Sequence, residues 1–473
     1  MQFDSFTFFA FFLLVLAIYH VLPTWNARKT FLLVASYVFY SAWNPPFVLL
    51  LIASTTLDWW IAHRIAAASG RTRKAWIVAT LAVNLAVLGY FKYSQFALEN
   101  FAALLGTMGI QYVPAKLDIV LPIGISFYTF HSLSYCLDVY RRKFAPTNSW
   151  RDYALYVTFF PQLVAGPIVR FTQMRDQIET PRGTTAAGLG LGMTLLAFGL
   201  FEKIVLADGV FAPVADALFN APQAASPVLA WGGTLAFAGQ IFCDFAGYTN
   251  CALGAALALG FALPINFRNP YAAIGFSDFW RRWHVSLSTW LRDYLYVSLG
   301  GNRHGLRRTY IALMLTMLIG GLWHGASWTF VVWGGLHGVY LCLERALRAP
   351  VEAAGWHERA PMRAAYGAFT FLVVALAWVW FRATDFSAGW LIHTKLMDFP
   401  AAIAGIAKAG SDLHIALIAM AGLVAVQWIF RSRDLRQILA ELPPWLLVPL
   451  LAAMLVLIVL SPGENHAFIY FQF

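Results

Sequence analysis

Apolar stretches of nearly bilayer-spanning length recur along almost the whole chain. A helix needs about 20 apolar residues to cross a hydrocarbon core about 30 Å thick. Stretches of this kind, several of them shorter, lie near Phe6–Leu22, Thr30–Ala42, Phe47–Ile65, Ala75–Tyr90, Tyr153–Val169, Leu189–Leu206, Val228–Phe245, Tyr310–Leu322, Trp328–Leu343, Ala365–Trp380, His414–Phe430 and Trp445–Leu460. No soluble fold of this length needs so much apolar material. Of the 473 residues 60% are hydrophobic and 12% charged, against about 45–50% and about 25% in a soluble domain. The expected fold class is an all-α integral membrane protein, with residues 1–473 forming a single polytopic membrane domain.

Two of the stretches are interrupted. Leu121-Pro122-Ile123-Gly124-Ile125-Ser126-Phe127 breaks the run from Leu117 to Tyr140, and Phe159-Phe160-Pro161-Gln162-Leu163-Val164-Ala165-Gly166-Pro167 has the same character. Irregular backbone at membrane depth survives only where it is buried in protein or lines a wet cavity. Broken or re-entrant helices around a cavity are therefore expected. The net charge of +10 raises nucleic-acid binding, but the cations sit in short loops between apolar runs. Arg28 and Lys29 follow the first run, Arg64, Arg71, Arg73 and Lys74 the third, and Arg431, Arg433 and Arg436 precede the last. This is the positive-inside pattern, and it places both termini outside the cytoplasm. The 19 Trp and 19 Tyr suit interfacial anchoring. The first run has no preceding basic residue and no small-residue cleavage site, so it reads as a retained span. Cys136, Cys243, Cys251 and Cys342 form no Cys-x-x-Cys pair and read as small buried hydrophobes.

An ionisable residue at membrane depth is a functional candidate by default, and the chain has 11 histidines. His20, His63, His357 and His414 lie near span ends or basic loops, and His131 lies in a broken segment. His284 stands in Phe279-Trp280-Arg281-Arg282-Trp283-His284-Val285-Ser286-Leu287-Ser288-Thr289-Trp290-Leu291-Arg292-Asp293-Tyr294-Leu295-Tyr296. Helical periodicity gathers Trp280, Trp283, His284, Leu287, Trp290, Leu291, Tyr294 and Leu295 on one face. Arg281, Arg282, Ser288, Arg292 and Asp293 fall on the other, predicting an amphipathic interfacial helix. On this pattern alone His284 reads more readily as a core histidine bonded to a carbonyl. His324 is different. A helix rising from the basic turn Asn302-Arg303-His304-Gly305-Leu306-Arg307-Arg308 carries it roughly 22 Å beyond Thr309 at about 1.5 Å per residue. Gly320, Gly321 and Gly325 surround it. A small-residue helix contact accounts for the glycines, but not for His324 and Trp323 at the same depth. His337, in Gly334-Gly335-Leu336-His337-Gly338, is a further intramembrane histidine.

A neutral imidazole takes the proton of an attacking hydroxyl near neutral pH, as acyl transfer to an alcohol requires. The chain shows no common metal-ligand spacing, no Gly-x-Ser-x-Gly elbow and no phosphate-binding glycine loop.

The run from Asp278-Phe279-Trp280-Arg281-Arg282-Trp283-His284 to Ser298-Leu299-Gly300-Gly301-Asn302-Arg303 resembles the membrane-bound O-acyltransferase family. So do Gly320 to Trp328, Leu121 to Phe127, Ala165-Gly166-Pro167 and the ending Phe468-Ile469-Tyr470-Phe471. Within that family the chain is similar to the bacterial branch that acetylates alginate or D-alanylates teichoic acid. The two histidine segments, 40 positions apart, carry the resemblance most specifically. It implies a ring of about 11–13 tilted transmembrane helices, with re-entrant and interfacial helices, around a central tunnel. The core would span roughly residues 110–350, with extra spans over 365–461. It implies that His324 is the essential intramembrane histidine and His284 its second polar position, with Trp283, Ser288, Arg292, Asp244, Tyr248, Trp323 and His337 as candidate substrate contacts.

It further implies a cytoplasmic acyl-thioester donor or carrier, acetyl-CoA being the simplest, with no bound cofactor and no metal. The expected partners are a periplasmic acetyltransferase and a polysaccharide-secretion complex, in a bacterial inner membrane. One departure is visible. The family's Asp-Phe-Ser-Gly-Tyr followed by an acidic residue reads Asp244-Phe245-Ala246-Gly247-Tyr248-Thr249-Asn250 here. Two alternatives stay open: transfer of D-alanyl or another acyl group to a cell-envelope polymer, and transport of a lipid-linked or acylated intermediate. Broken helices suit a transporter, although no two related halves are visible.

Overall fold

The computed structural model describes residues 1–353, 355, 359–461 and 468–469. His357, Tyr470 and Phe471 lie outside the described residues. The described chain is all-helical, with turns and irregular loops between helices. Each predicted span except Tyr153–Val169 falls on a helix. There the helix Trp150–Thr158 stops and only the single turn Phe160–Leu163 follows. Pro161 lacks the N–H that would continue the first helix. Among the described residues six helices are long and apolar enough to cross a membrane: Pro46–Ala67, Gly70–Thr107, Ala186–Phe219, Pro227–Ala258, Ala360–Arg382 and Ser411–Ile429. Phe6–Val21 and Pro444–Leu460 are apolar but shorter. The helices Gly305–His324 and Trp328–Ala353 are long but more polar, because they carry Arg307, Arg308, His324, His337 and Glu344.

The chain forms two compact units. The first comprises Met1–Gly190 and Ala255–Pro264. Its apolar centre is a group of phenylalanines, with Phe8 stacked on Phe12 and Phe160 packed against Phe11 and Phe39. Several of its buried polar groups are paired internally, as hydrocarbon surroundings favour. Asp58, in the middle of Pro46–Ala67, accepts from Thr80 Oγ1 at 2.6 Å and from Asn84 Nδ2 at 2.9 Å. Lys29 meets Asp152 at 2.8 Å. Gly124 takes a positive φ of 76° beside the Leu163 carbonyl, where any side chain would collide. This is the expected break before the helix Ile125–Tyr140. His131 belongs to this repair: its Nε2 accepts the Val169 N–H at 3.1 Å, beyond the break that follows Thr158.

The second unit comprises Leu191–Gly254 and the chain from Ile265 onward. Two glycine contacts shape it. Gly199 and Gly247 lie backbone to backbone, and a Cβ on either would strike the other's carbonyl. Beyond Gly199 the chain continues as a π-helix, Phe201–Phe211. It carries Lys203 to 2.7 Å from Asp244 and 3.0 Å from Asp208. The second contact joins Gly305–His324 to Trp328–Ala353 as a close hairpin. Gly321 faces the Phe330 carbonyl and the Gly334 backbone, and Gly334 faces the Met317 carbonyl. Gly321, before His324, thus serves helix packing.

Leucine at Gly334 is expected to overpack this hairpin, costing about 1–3 kcal/mol or more. The thermal midpoint of the detergent-solubilised protein should fall accordingly. Gly422→Leu, where nothing lies within 4 Å of an added Cβ, should change stability by no more than about 0.5 kcal/mol and leave that midpoint near the parent's.

Candidate active site

His324 is the last residue of the helix Gly305–His324, and Gly325 leaves the helix in extended conformation. The uninterrupted helix sets it roughly 22 Å from Thr309 at about 1.5 Å per residue. The imidazole is buried in a cage of rings. Trp333 and Phe381 present themselves edge to face at 5.1 and 5.2 Å between centroids, and Trp323 lies at 5.0 Å.

His284 is not on a continuous amphipathic helix, contrary to the periodicity. The segment divides into Phe276–Trp280, a turn, Val285–Trp290 and a π-helical stretch Leu291–Tyr296. His284 occupies the position before the second piece, with φ 42° and ψ 54°. That left-handed conformation costs a residue with a Cβ about 1–2 kcal/mol. The break comes from outside the segment. The N–H of Arg268 donates to the Arg282 carbonyl at 3.0 Å, and the N–H of Val285 donates to the Asn266 carbonyl at 2.9 Å. The remote extended chain at 266–268 thus takes backbone bonds that a helix would have used internally.

This turn points His284 at His324. The ring centroids are 6.5 Å apart, and the edge of Phe245 closes one side of His284 at 4.7 Å. Once about an ångström of ring radius is taken off each end, the nitrogens are roughly 4 Å apart at closest, beyond the about 3 Å of a hydrogen bond. His284 is fully buried, and neither of its ring nitrogens has a hydrogen-bond partner among the described residues. An unmade bond of this kind costs about 1–3 kcal/mol. The peripheral histidines behave differently: His20, His63, His393 and His414 each donate Nδ1–H to the carbonyl one turn earlier.

His337 is the other buried histidine whose two ring nitrogens are both without a partner among the described residues. It is boxed by Trp333 at 4.9 Å, Trp280 at 5.1 Å, Tyr340 and Phe279. The indole nitrogens of Trp280 and Trp333 are likewise buried without a partner. Trp333 touches both His324 and His337 and separates them.

The remaining candidates divide. Trp323 lies against both His284 and His324. Trp283 is fully buried among Phe279, Phe267 and Trp378. Ser288 donates to the Trp283 carbonyl, and Arg292 is exposed and paired with Asp293. Asp244 is engaged by the chain itself, through Lys203 and through the Ile469 N–H at 2.7 Å. Tyr248 packs on Phe468 at 4.6 Å. Asn250, at the position where the motif departs, donates to Glu202 at 2.7 Å. Arg282 is bound to Asp278, which also holds Arg431 at 2.6 Å. Arg281, Arg303, Arg307 and Arg308 are exposed. Phe245, Trp333 and Phe381 have no prominence in the sequence reading. Trp333 had a signal in its i, i+4 spacing from His337, which puts both on one helix face. Phe381 lies in a later helix and had none.

Residues 147–377 match the model of the membrane-bound O-acyltransferase family. The chain is 44% identical over 402 residues to a probable alginate O-acetylase of Azotobacter vinelandii, covering 84% of this chain and 78% of that protein. It is 36% identical to a peptidoglycan O-acetyltransferase of Helicobacter pylori, over 76% of this chain and 71% of that one. To a teichoic acid D-alanyltransferase of Streptococcus thermophilus it is 28% identical, over 47% and 57%. The chain belongs to the membrane-bound O-acyltransferase family. It is a membrane-embedded O-acyltransferase.

Lys203 answers two carboxylates in a buried setting. Breaking such a pair from one side costs about 3–5 kcal/mol. Lys203→Met is expected to lower the amount of folded protein in the membrane fraction several-fold, read by immunoblot and by detergent-extracted monodisperse protein.

Proposed function

We propose that this chain moves acetyl groups from a cytoplasmic thioester donor, acetyl-CoA being the simplest, across a bacterial inner membrane for O-acetylation of an exported polysaccharide. The observation that carries this reading is the pair His284 and His324, 6.5 Å apart in a buried aromatic cage. His324 is the general base. An acceptor oxygen beside both rings, off the line that joins them, attacks the thioester carbonyl carbon, and the C–O bond forms as the C–S bond breaks. The hydroxyl proton passes to the His324 imidazole and from there to the departing thiolate. His284 donates or accepts a hydrogen bond at the same oxygen. His337 and the indoles of Trp280 and Trp333 offer the next polar contacts.

The relatives support the acetyl group. Identity is higher, and coverage greater, to the acetylases than to the D-alanyltransferase. The exposed cations Arg281, Arg303, Arg307 and Arg308 face the cytoplasm in this reading. There they raise the local concentration of an anionic donor. The acceptor side opens to the periplasm, where a periplasmic acetyltransferase and the secretion machinery receive the group.

Replacing His324 with Ala is expected to lower the O-acetyl content of exported polysaccharide at least about 100-fold, at unchanged protein level in the membrane. His284→Ala should lower it as well. Acetate released by mild alkali from the polymer is the measurement, and parental acetate from His324→Ala would overturn the assignment.

A further inference from the structure

The conformation of His284 depends on a residue that nothing in its own segment supplies. Asn266 is fully buried and makes four bonds around the His284 turn. Its carbonyl accepts the Val285 N–H at 2.9 Å. Its side-chain Oδ1 accepts the Ser286 hydroxyl at 2.6 Å and the Ser286 N–H at 3.4 Å. Its Nδ2 donates to Thr249 Oγ1 at 3.4 Å. Thr249 follows Tyr248 in the helix Pro227–Ala258, which also presents Phe245 to the His284 ring.

Local sequence favours a different arrangement. The periodicity from Phe279 to Tyr296 suits one helix, and in a helix His284 would have negative φ. A change of φ from +42° to the helical region swings the Cα–Cβ bond and takes the imidazole away from His324. Asn266 opposes that rearrangement by binding the two residues directly after His284. We infer that Asn266 is a positioning residue for the reaction: through Val285 and Ser286 it holds His284 in the left-handed conformation that aims its imidazole at His324. This rests on the proposed role of His284 in acyl transfer.

The test uses the full-length chain in cells, with alkali-released acetate from exported polysaccharide as readout, normalised to membrane level. Asn266→Ala and Ser286→Ala are expected to lose at least tenfold. Ser286→Thr, which keeps the hydroxyl, should stay within twofold of the parent. A merely structural role would not separate the two Ser286 variants at equal protein level. Should Asn266→Ala fail to accumulate, the Ser286 pair decides. Near-parental acetate from Ser286→Ala, or equal losses from Ser286→Ala and Ser286→Thr, would overturn the inference. His284→Ala separates the two levels. If it keeps parental acetate, the role of His284 itself fails. If it loses acetate while Asn266→Ala and Ser286→Ala do not, only the positioning role fails.

Discussion

Within a bilayer a polar group has no water to turn to, so each one must be answered inside the protein or carry a cost of several kcal/mol. The helices of this chain are arranged around that constraint. Asp58 is met by Thr80 and Asn84, Lys29 by Asp152, Lys203 by Asp208 and Asp244, and Glu202 by Asn250. Where the helix after Thr158 fails, His131 takes up the Val169 N–H. Other buried polar atoms have no partner among the described residues, and several of these lie together. His284, His337 and the indoles of Trp280 and Trp333 are buried polar groups without partners among the described residues, and ring contacts link them to one another and to His324. Gathered in one aromatic cage, these groups offer the bonding capacity that the proposed acyl transfer uses.

His324 was legible in the sequence because its position depends on local facts. A basic turn, an unbroken helical run and a rise of about 1.5 Å per residue determine its depth without reference to any other segment. The neighbouring glycines were ambiguous, and the structure assigns Gly321 and Gly334 to helix packing. His284 is legible as a residue, but the element that carries it is not. Its segment has the period of a helix, and the bonds that break it come from Asn266 and Arg268 in a different part of the chain. Periodicity measures what a segment would do alone, and tertiary hydrogen bonds override it here.

The motif Asp244 to Asn250 shows the same limit from the other direction. Its residue types suggest a substrate site, and each of its side chains with a resolved contact is occupied by the chain itself. Asp244 holds Lys203 and the Ile469 N–H, Gly247 admits the backbone at Gly199, and Asn250 holds Glu202. Phe245 alone reaches the site, as the wall behind His284. The departure at Asn250 is therefore read in terms of its partner. An amide donates to Glu202, where an acidic residue at 250 would set two carboxyl groups together.

The two histidines are held by unlike means, and this bears on their roles. His324 ends a helix whose backbone lies against the next helix at Gly321 and Gly334, so moving it means separating two packed helices. His284 sits in a strained turn kept by a few hydrogen bonds, with an alternative helical conformation encoded in its own sequence. A general base benefits from a rigid seat, because proton transfer requires hydrogen-bond distances within a few tenths of an ångström. A residue that must first meet and then release a substrate oxygen tolerates a softer one. The packing therefore suits the proposed roles, with the base on the helix-anchored His324 and the substrate contact on His284.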